Sequence, residues 1–288
     1  MKRKAAWWIT ATKGVIIAFV SFILYNVFLY FYPLKKEIIY DNKERAEEFV
    51  YSKQRYSVIF VGSGLIGDFS PASVRRSNYF NLFFPYSGSC TGVKVIALSN
   101  KIPDTLFVET NYLYKGFDQQ LLEDVFRPGL YQARFALPAL QEKHQVFSFL
   151  KEQIKPSKIR QLKLARYPEP QYSQELTHFK EEYQVLPDSL RLRQDLDSLQ
   201  YYLNYLSSKN CKIFFFEMPV DRQLSNYPKM KSEKYALQQV FDKKIKWVAP
   251  DTLGRYATID GVHLLEKSVY QYLAYFNQNI HRLASNSK

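Results

Sequence analysis

The stretch SVIFVGSGL, residues 57–65, joins a continuous apolar run to a Gly-Ser-Gly turn. Apolar runs of this length that are rich in β-branched and aromatic residues favour strands buried on both faces, as in a parallel sheet. Parallel strands end at one edge of their sheet, which is where open α/β proteins form their sites. The turn at Gly62, Ser63 and Gly64 is therefore the first candidate for a functional loop.

Four further short apolar runs predict the remaining strands, and helix-like stretches lie between them. The predicted strands cover residues 79–84, 105–110, 211–219 and 245–250. The predicted helices cover residues 92–99, 235–241 and 263–283. Alternation of strands and helices predicts an α/β layer fold with right-handed crossover connections.

One long interval, at about residues 114–209, has helical patterns but no convincing strand. Its segment SLRLRQDLDSLQYYLNYLSS places leucines on one broad helical face, and RYPEPQYS at residues 166–173 interrupts the interval with two prolines. We interpret it as a helical insertion that serves as a lid or a docking surface. The alternative is that it only adds packing bulk.

The N-terminal region predicts a membrane anchor. Residues 14–32 carry no charged side chain and would span about 28 Å as a helix, close to the thickness of a bilayer's hydrocarbon core. Tyr, Phe and Pro follow the span where a cleavage site would need small residues, so we expect an uncleaved signal anchor. Basic residues that precede the span favour a cytoplasmic N-terminus.

This topology predicts the organisation of the whole chain at the cell membrane. Residues 1–35 form a cytoplasmic tail and transmembrane anchor, residues 36–54 a juxtamembrane stalk, and residues 55–288 an extracytoplasmic domain that includes the helical insertion. The predicted partner of the anchor is the lipid bilayer.

Charge and cysteine content limit the functional classes. The formal charge of +13 is spread along the chain, with a basic concentration at residues 151–166. Beside a membrane, such a run favours anionic lipid or polymer over nucleic acid, although a solvated helical face explains it equally well. The two cysteines, Cys90 and Cys211, leave a disulfide open, and neither the cysteines nor the histidines have the spacing of a metal site.

A carboxylate and an imidazole stand together near the C-terminus, in IDGVHLL at residues 259–265. Asp260 and His263 lie three residues apart where a helix is predicted to begin. Acyl transfer and ester hydrolysis need a base for the nucleophile's proton and a carboxylate that holds the base in the right tautomer. One short loop supplies both groups, although Asp260 has the alternative role of a helix cap.

The order of these motifs resembles the SGNH (GDSL-like) hydrolase superfamily over residues 57–283. The Gly-Ser-Gly turn follows the first strand, Gly88 follows the second, Asn111 ends the third, and the Asp260 and His263 pair precedes the last helix. The resemblance implies a flavodoxin-like three-layer sandwich with a parallel sheet. It also implies an oxyanion hole at Gly88 and Asn111, an orienting Asp260, a basic His263, and no metal or organic cofactor.

The position of the nucleophile has two interpretations. The family's strand runs into Gly-x-Ser, and this register places Gly64 where the family has its serine. A shift by one residue makes Ser63 the catalytic nucleophile, with Val61 where the family has glycine. Two serines beside Gly88 are fallback candidates, Ser87 and Ser89.

An anchored domain of this kind is also similar to envelope O-acylation proteins that act beside membrane-bound acyltransferases. The resemblance implies an esterase or O-acyltransferase that acts on acyl groups of a cell-envelope glycan or glycolipid. The alternative is a catalytically inactive binding or scaffold protein that partners a membrane acyltransferase. A third reading is a generic flavodoxin-like domain, in which Ser63 and His263 would lie far apart.

Other polar residues are predicted to be structural. Glu217 ends a predicted strand, and we expect it to form a salt bridge with Arg222 in preference to binding a substrate hydroxyl. Three histidines in helix-like polar contexts are expected at the surface: His144, His178 and His281.

Overall fold

The computed structural model describes residues 2–32, 41–69, 78–85, 87–145, 166–241, 245–251 and 253–285. The chain divides into two compact units. The first combines Met1–Ile39 with Val125–Pro156, and the second combines Tyr40–Asp124 with Ser157–Lys288. The second unit contains the sheet.

The sheet has five strands, and every pairing between them is parallel. The strands are β1 (Val58–Ser63), β2 (Tyr79–Phe84), β3 (Thr105–Glu109), β4 (Lys212–Phe216) and β5 (Lys246–Trp247). All five apolar runs chosen from the sequence therefore form strands, and the predicted α/β class is confirmed. β4 and β5 are shorter than predicted, because their last apolar residues lie in the loops that leave the sheet.

The spatial order of the strands is β2-β1-β3-β4-β5. The chain passes from β1 to β2 on one side of β1 and then crosses to β3 on its other side. This reversal defines a switch point between β1 and β3. Side chains in the middle of β1, at Ile59, Phe60 and Val61, are fully buried, as expected for a strand covered on both faces. The carboxyl ends of β1 and β3 lie side by side at this switch point.

The described residues form nine α-helices. They are α1 (Lys2–Phe31), α2 (Asn42–Tyr51), α3 (Ser89–Ser99), α4 (Gln119–Val125), α5 (Leu130–Ala136), α6 (Glu169–Gln184), α7 (Ser189–Ser208), α8 (Pro228–Phe241) and α9 (Glu266–Ser285). Among the described residues between β3 and β4, helices and helical turns occur but no strand. The prediction of a helical interval without strands agrees with this arrangement.

Helix α2 begins within the segment predicted as a juxtamembrane stalk. The Asp41 carboxylate caps it by accepting hydrogen bonds from the N–H groups of Lys43 and Glu44. The side chains of Ala46, Phe49 and Val50 are fully buried, and the helix packs against β2 and α3. This part of the predicted spacer therefore belongs to the layer that covers the sheet.

Aromatic side chains on the other face hold the last helix against the sheet. The rings of Phe60 and Phe107 stack with their centroids 4.8 Å apart. Phe276 of α9 is fully buried and packs edge-on against Phe107 and Phe216. Burial of such a side chain stabilises the fold by about 2 to 3 kcal/mol, so α9 and the loop that precedes it are firmly placed.

The first unit contains the apolar helix predicted from the sequence. Within α1, Thr12–Phe31 has a mean hydropathy of 2.2, which makes it long and apolar enough to cross a membrane. The helix is compatible with a single-pass anchor. The basic concentration at residues 151–166 lies outside the described residues except for Arg166.

Both cysteines are buried and free, so the disulfide left open by the sequence is not formed. Burial raises the pKa of the Cys211 thiol to about 12 and raises that of Cys90 as well. These thiols behave as small apolar core groups.

Close packing of α3 on β1 requires glycine at residue 92. A Cβ atom at Gly92 would lie 1.9 Å from Cγ2 of Val61. We expect Gly92→Ala to lower the stability of the protein by about 1 to 3 kcal/mol, because helix and strand must separate. Thermal denaturation in detergent micelles would measure the change. The matched control is Leu98→Ala, a truncation of a half-exposed residue on the same helix, and an equal loss in both variants would contradict the prediction.

Candidate functional site

The loop before α9 presents Asp260 and His263 as a formed pair. The His263 ring nitrogen Nδ1 lies 2.7 Å from Oδ2 of Asp260. The other carboxylate oxygen accepts hydrogen bonds from the N–H groups of Val262 (3.0 Å) and His263 (2.8 Å). An antiparallel bridge between Thr258 and Leu264 closes the loop at its base. Asp260 thus orients the imidazole and leaves Nε2 as the ring nitrogen that faces the sheet.

The environment keeps the Asp260 carboxyl ionised. Burial is the largest single influence and would raise its pKa, but the hydrogen bond and charge of His263 and the two backbone N–H groups together lower the pKa below its ordinary value. The side chain of Asp260 is 13% exposed, while that of His263 is 47% exposed. A buried carboxylate behind an accessible imidazole is the arrangement that a general base requires.

Gly64, and not Ser63, faces the imidazole. A Cβ atom built on Gly64 would lie 3.6 Å from Nε2 of His263 and 3.4 Å from Cα of Pro85, which is ordinary van der Waals contact. A hydroxyl carried on that Cβ would come within hydrogen-bonding reach of Nε2. The position of a serine nucleophile in this geometry is therefore residue 64, where the chain has no side chain.

Ser63 is directed into the protein. Its side chain is 1% exposed, and its Oγ accepts a hydrogen bond from the N–H of Leu65 at 3.2 Å. The Ser63 N–H donates to Oε2 of Glu109 at 2.5 Å. Among the described residues, no hydrogen bond joins Ser63 to His263. The structure thus brings His263 to the Gly-Ser-Gly turn, but it does so at the residue after the predicted nucleophile.

Glu109 is a site residue that the sequence reading missed. It ends β3, is 1% exposed, and accepts hydrogen bonds from the N–H groups of Ser63 and Asn111. Burial raises the pKa of its carboxyl, and these hydrogen bonds and the charge of Lys115 oppose the rise only in part. A sequence signal existed, because a lone carboxylate at the end of an otherwise apolar strand needs buried donors.

The two predicted oxyanion residues lie at the ends of their predicted elements. Asn111 is 2% exposed, and its amide forms a reciprocal pair with the backbone of Met218, donating to the carbonyl (2.8 Å) and accepting from the N–H (2.7 Å). Gly88 precedes the first residue of α3, and a Cβ there would lie 2.5 Å from the carbonyl oxygen of Tyr112. Asn111 therefore fixes the loop at Met218, and Gly88 allows close packing on Tyr112. Their role in an oxyanion hole stays a prediction.

The fallback serines have other surroundings. The Ser87 hydroxyl donates to Asp118 at 3.0 Å and accepts from the Asn42 amide at 3.2 Å. Ser89 is 2% exposed, and its hydroxyl has no hydrogen-bond partner among the described residues. Within the described ranges, no hydrogen bond joins either serine to His263.

Several smaller predictions can be compared with the structure. Glu217 pairs with Lys234 at 3.2 Å, not with Arg222, whose guanidinium donates to the carbonyl of Gly254. The prediction for His144 was wrong, because this residue is 3% exposed, while His178 is exposed as predicted. The side chain of His281 lies outside the described residues. In the part of the chain that the structure describes, no group of three or more His, Cys, Asp and Glu residues is arranged to hold a metal ion.

Comparison of the chain with protein-family models, curated proteins and solved structures gives no significant match. The functional argument therefore depends on the geometry of the site itself.

Removal of the Glu109 carboxylate should destabilise the loops that contain Ser63 and Asn111. We expect Glu109→Ala to lower stability by about 2 to 4 kcal/mol, because it leaves the N–H groups of Ser63 and Asn111 buried without an acceptor. Glu109→Gln keeps one acceptor oxygen and should lose about half as much. Urea unfolding in detergent micelles would measure both. Equal stability of Glu109→Ala and the wild type would contradict the anchoring role.

The Asp260 pair predicts a dependence of stability on pH. Because folding lowers the pKa of Asp260, its contribution is present above the ordinary aspartate value of about 4 and is lost as the pH falls through the folded-state pKa. The free energy of unfolding should therefore fall less steeply below about pH 4 in Asp260→Asn than in the wild type. Unfolding measured from pH 6 to pH 3 checks this slope, and identical slopes would refute it.

Proposed function

We propose that this chain is a membrane-anchored, extracytoplasmic SGNH-like protein that binds acylated envelope glycan or glycolipid without forming a covalent intermediate. One observation carries the proposal. The Cβ position 3.6 Å from Nε2 of His263 belongs to Gly64, so the residue that faces the base has no hydroxyl. A glycine cannot attack a carbonyl, and Ser63 is held in the interior by Leu65 and Glu109.

The architecture supports the SGNH-like part of the proposal. The strand order β2-β1-β3-β4-β5 is one of the common doubly wound orders, the flavodoxin-like one, in which ligands bind at the switch point beside β1 and β3. Gly64 follows β1 and Asn111 follows β3, so the candidate site lies at this switch point. The helical interval between β3 and β4 is proposed as an insertion into such a fold.

The site suits a ligand with a hydroxyl or an ester carbonyl. The His263 ring is about half exposed, and its Nε2 faces the position that a Cβ atom of residue 64 would occupy. A sugar hydroxyl or an acyl oxygen placed there would occupy the position of the missing serine hydroxyl and hydrogen-bond to the imidazole. Asp260 would keep the ring oriented for this contact. The acyl and glycan class itself is taken from the resemblance to the SGNH superfamily.

Location beside a membrane is the second part of the proposal. The apolar helix α1 provides an anchor that keeps the domain close to lipid-linked or membrane-proximal polymers. A membrane-bound acyltransferase is the proposed partner, and the protein would present or hold its acylated product.

A second candidate function is the esterase or O-acyltransferase predicted from the sequence. The formed pair of Asp260 and His263 favours it. The loop could keep its conformation without an imidazole that a carboxylate orients, whereas a catalytic base needs one. In this case Ser63, Ser87 or Ser89 would have to supply the nucleophile from a different conformation.

Installation of a serine at residue 64 separates the two functions. We expect wild-type protein in detergent to show no labelling by a serine-directed fluorophosphonate and no hydrolysis of p-nitrophenyl acetate above background. Gly64→Ser should gain both activities, because its hydroxyl would lie beside Nε2 of His263. Gly64→Ala is the matched control, and addition of His263→Ala to Gly64→Ser should abolish the gain. Mass spectrometry locates the adduct.

Two results would overturn the proposal. An adduct at Ser63, Ser87 or Ser89 in the wild type would establish an active nucleophile and favour the enzyme. A Gly64→Ser variant that folds normally but remains unlabelled would show that residue 64 is not the nucleophile position.

A further inference from the structure

The helix α1 carries two polar side chains close to its C-terminal end, inside the apolar span. Tyr25 and Asn26 interrupt Thr12–Phe31, and Asn26 is only 6% exposed. Leu29, one turn further along the same side, is 2% exposed, whereas most large apolar residues of the span are well exposed. One side of α1 is therefore covered by protein, and the covered side is the one that contains the polar groups.

A short 3-10 turn, Pro138–Leu140, packs against this part of α1. The N–H of Ala139 donates to Oδ1 of Asn26 at 3.0 Å. The hydroxyl of Tyr25 donates to the carbonyl of His144 at 2.9 Å. The amide nitrogen of Asn26 donates to the carbonyl of Phe22 in its own helix, so both polar atoms of the side chain are satisfied.

These contacts fix the depth of the turn relative to α1. Asn26 stands five positions before Phe31, the last residue of the span, which corresponds to about 7 Å along a helix. If α1 spans the bilayer, Ala139 lies about that far inside the apolar layer. Irregular backbone at such a depth needs internal partners for its polar groups, and the side chains of Tyr25 and Asn26 provide them.

Residues 125–145 also form hydrogen bonds among themselves. The Arg134 guanidinium, in a residue 3% exposed, donates to the carbonyl of Leu140 at 3.2 Å and to that of Val125 at 3.4 Å. The Gln141 amide returns a hydrogen bond to the Arg134 carbonyl at 2.9 Å. These bonds satisfy carbonyl groups that water would otherwise have to solvate.

The surface of this segment is suited to the boundary between headgroups and acyl chains. Phe135 on α5 is 54% exposed and stacks edge-on with Tyr131, which in turn packs against Phe126. Exposed aromatic rings beside polar groups are typical of the membrane interface. Two polar residues of the same segment, Arg127 and Gln132, are also exposed.

We propose that residues 126–145 form a second membrane-contacting element, which inserts Phe135 into the leaflet at the C-terminal end of α1. The occupant of this surface is the lipid bilayer, because the segment is fastened to α1 inside the span by Tyr25 and Asn26. The proposal rests on the membrane anchor of the proposed function, and it assigns a membrane role to a part of the chain that lies between β3 and β4.

Quenching by brominated lipids tests the proposal in full-length protein reconstituted into nanodiscs. Single cysteines replace Phe135, Ile16 in the N-terminal part of the span, and Tyr235 on α8. The background carries Cys90→Ala and Cys211→Ala, and each single cysteine carries an environment-sensitive fluorophore. We expect strong quenching at residue 16, quenching by lipids brominated near the headgroup at residue 135, and none at residue 235.

The outcomes distinguish the second membrane-contacting element from the membrane anchor on which it rests. Quenching at residue 16 without quenching at residue 135 would overturn the proposal and leave the anchor intact. This is the result expected if a partner protein, and not lipid, covers the surface around Phe135. Absence of quenching at residue 16 would refute the anchor and the proposal together.

Variants that lose the hydrogen bonds between α1 and residues 126–145 provide a second test. The double change Tyr25→Phe, Asn26→Leu removes both hydrogen bonds and should reduce quenching at residue 135 by at least half, with residue 16 unaffected. The matched control is Val27→Leu, an apolar exchange on the exposed side of α1. Unchanged quenching in the double variant would show that these bonds do not position the segment.

Discussion

The buried carboxyl of Glu109 is the interaction on which the candidate site depends. It lies at the end of β3 and accepts the N–H groups of Ser63, at the end of β1, and of Asn111, in its own loop. One side chain thereby joins the two loops that flank the switch point of the sheet. Gly62 is part of the same arrangement, because a Cβ there would lie 2.6 Å from Oε2 of Glu109. The conformation of the turn, and with it the residue that faces His263, follows from this contact.

The same contact explains why His263 faces Gly64 and not the serine of the turn. Asp260 orients His263, and burial of Asp260 limits the competition of water for that hydrogen bond. Ser63 is turned toward Glu109 and Leu65, so the imidazole meets the backbone of Gly64. The residue that faces Nε2 therefore carries no hydroxyl, which is why we favour binding over covalent catalysis.

The apolar N-terminal helix imposes the second constraint. If α1 crosses a bilayer, Asn26 would face acyl chains only at a cost in free energy. The chain covers this residue with a turn from the interval between β3 and β4. That interval therefore has two kinds of segment. Residues 125–145 associate with α1 in the first unit, while α6 and α7 belong to the second unit and pack with the helices around the sheet.

The sequence by itself determined the five strands, the parallel α/β class, the apolar helix and the pairing of Asp260 with His263, because each depends on local composition or on residues close in the chain. It left the register of the Gly-Ser-Gly turn undecided between Ser63 and Gly64. Only the tertiary structure distinguished them, since the direction of Ser63 depends on a carboxylate that lies 46 residues further along the chain. Burial of α2 and the covering of Asn26 were likewise beyond local reasoning, because both result from contacts between segments distant in sequence.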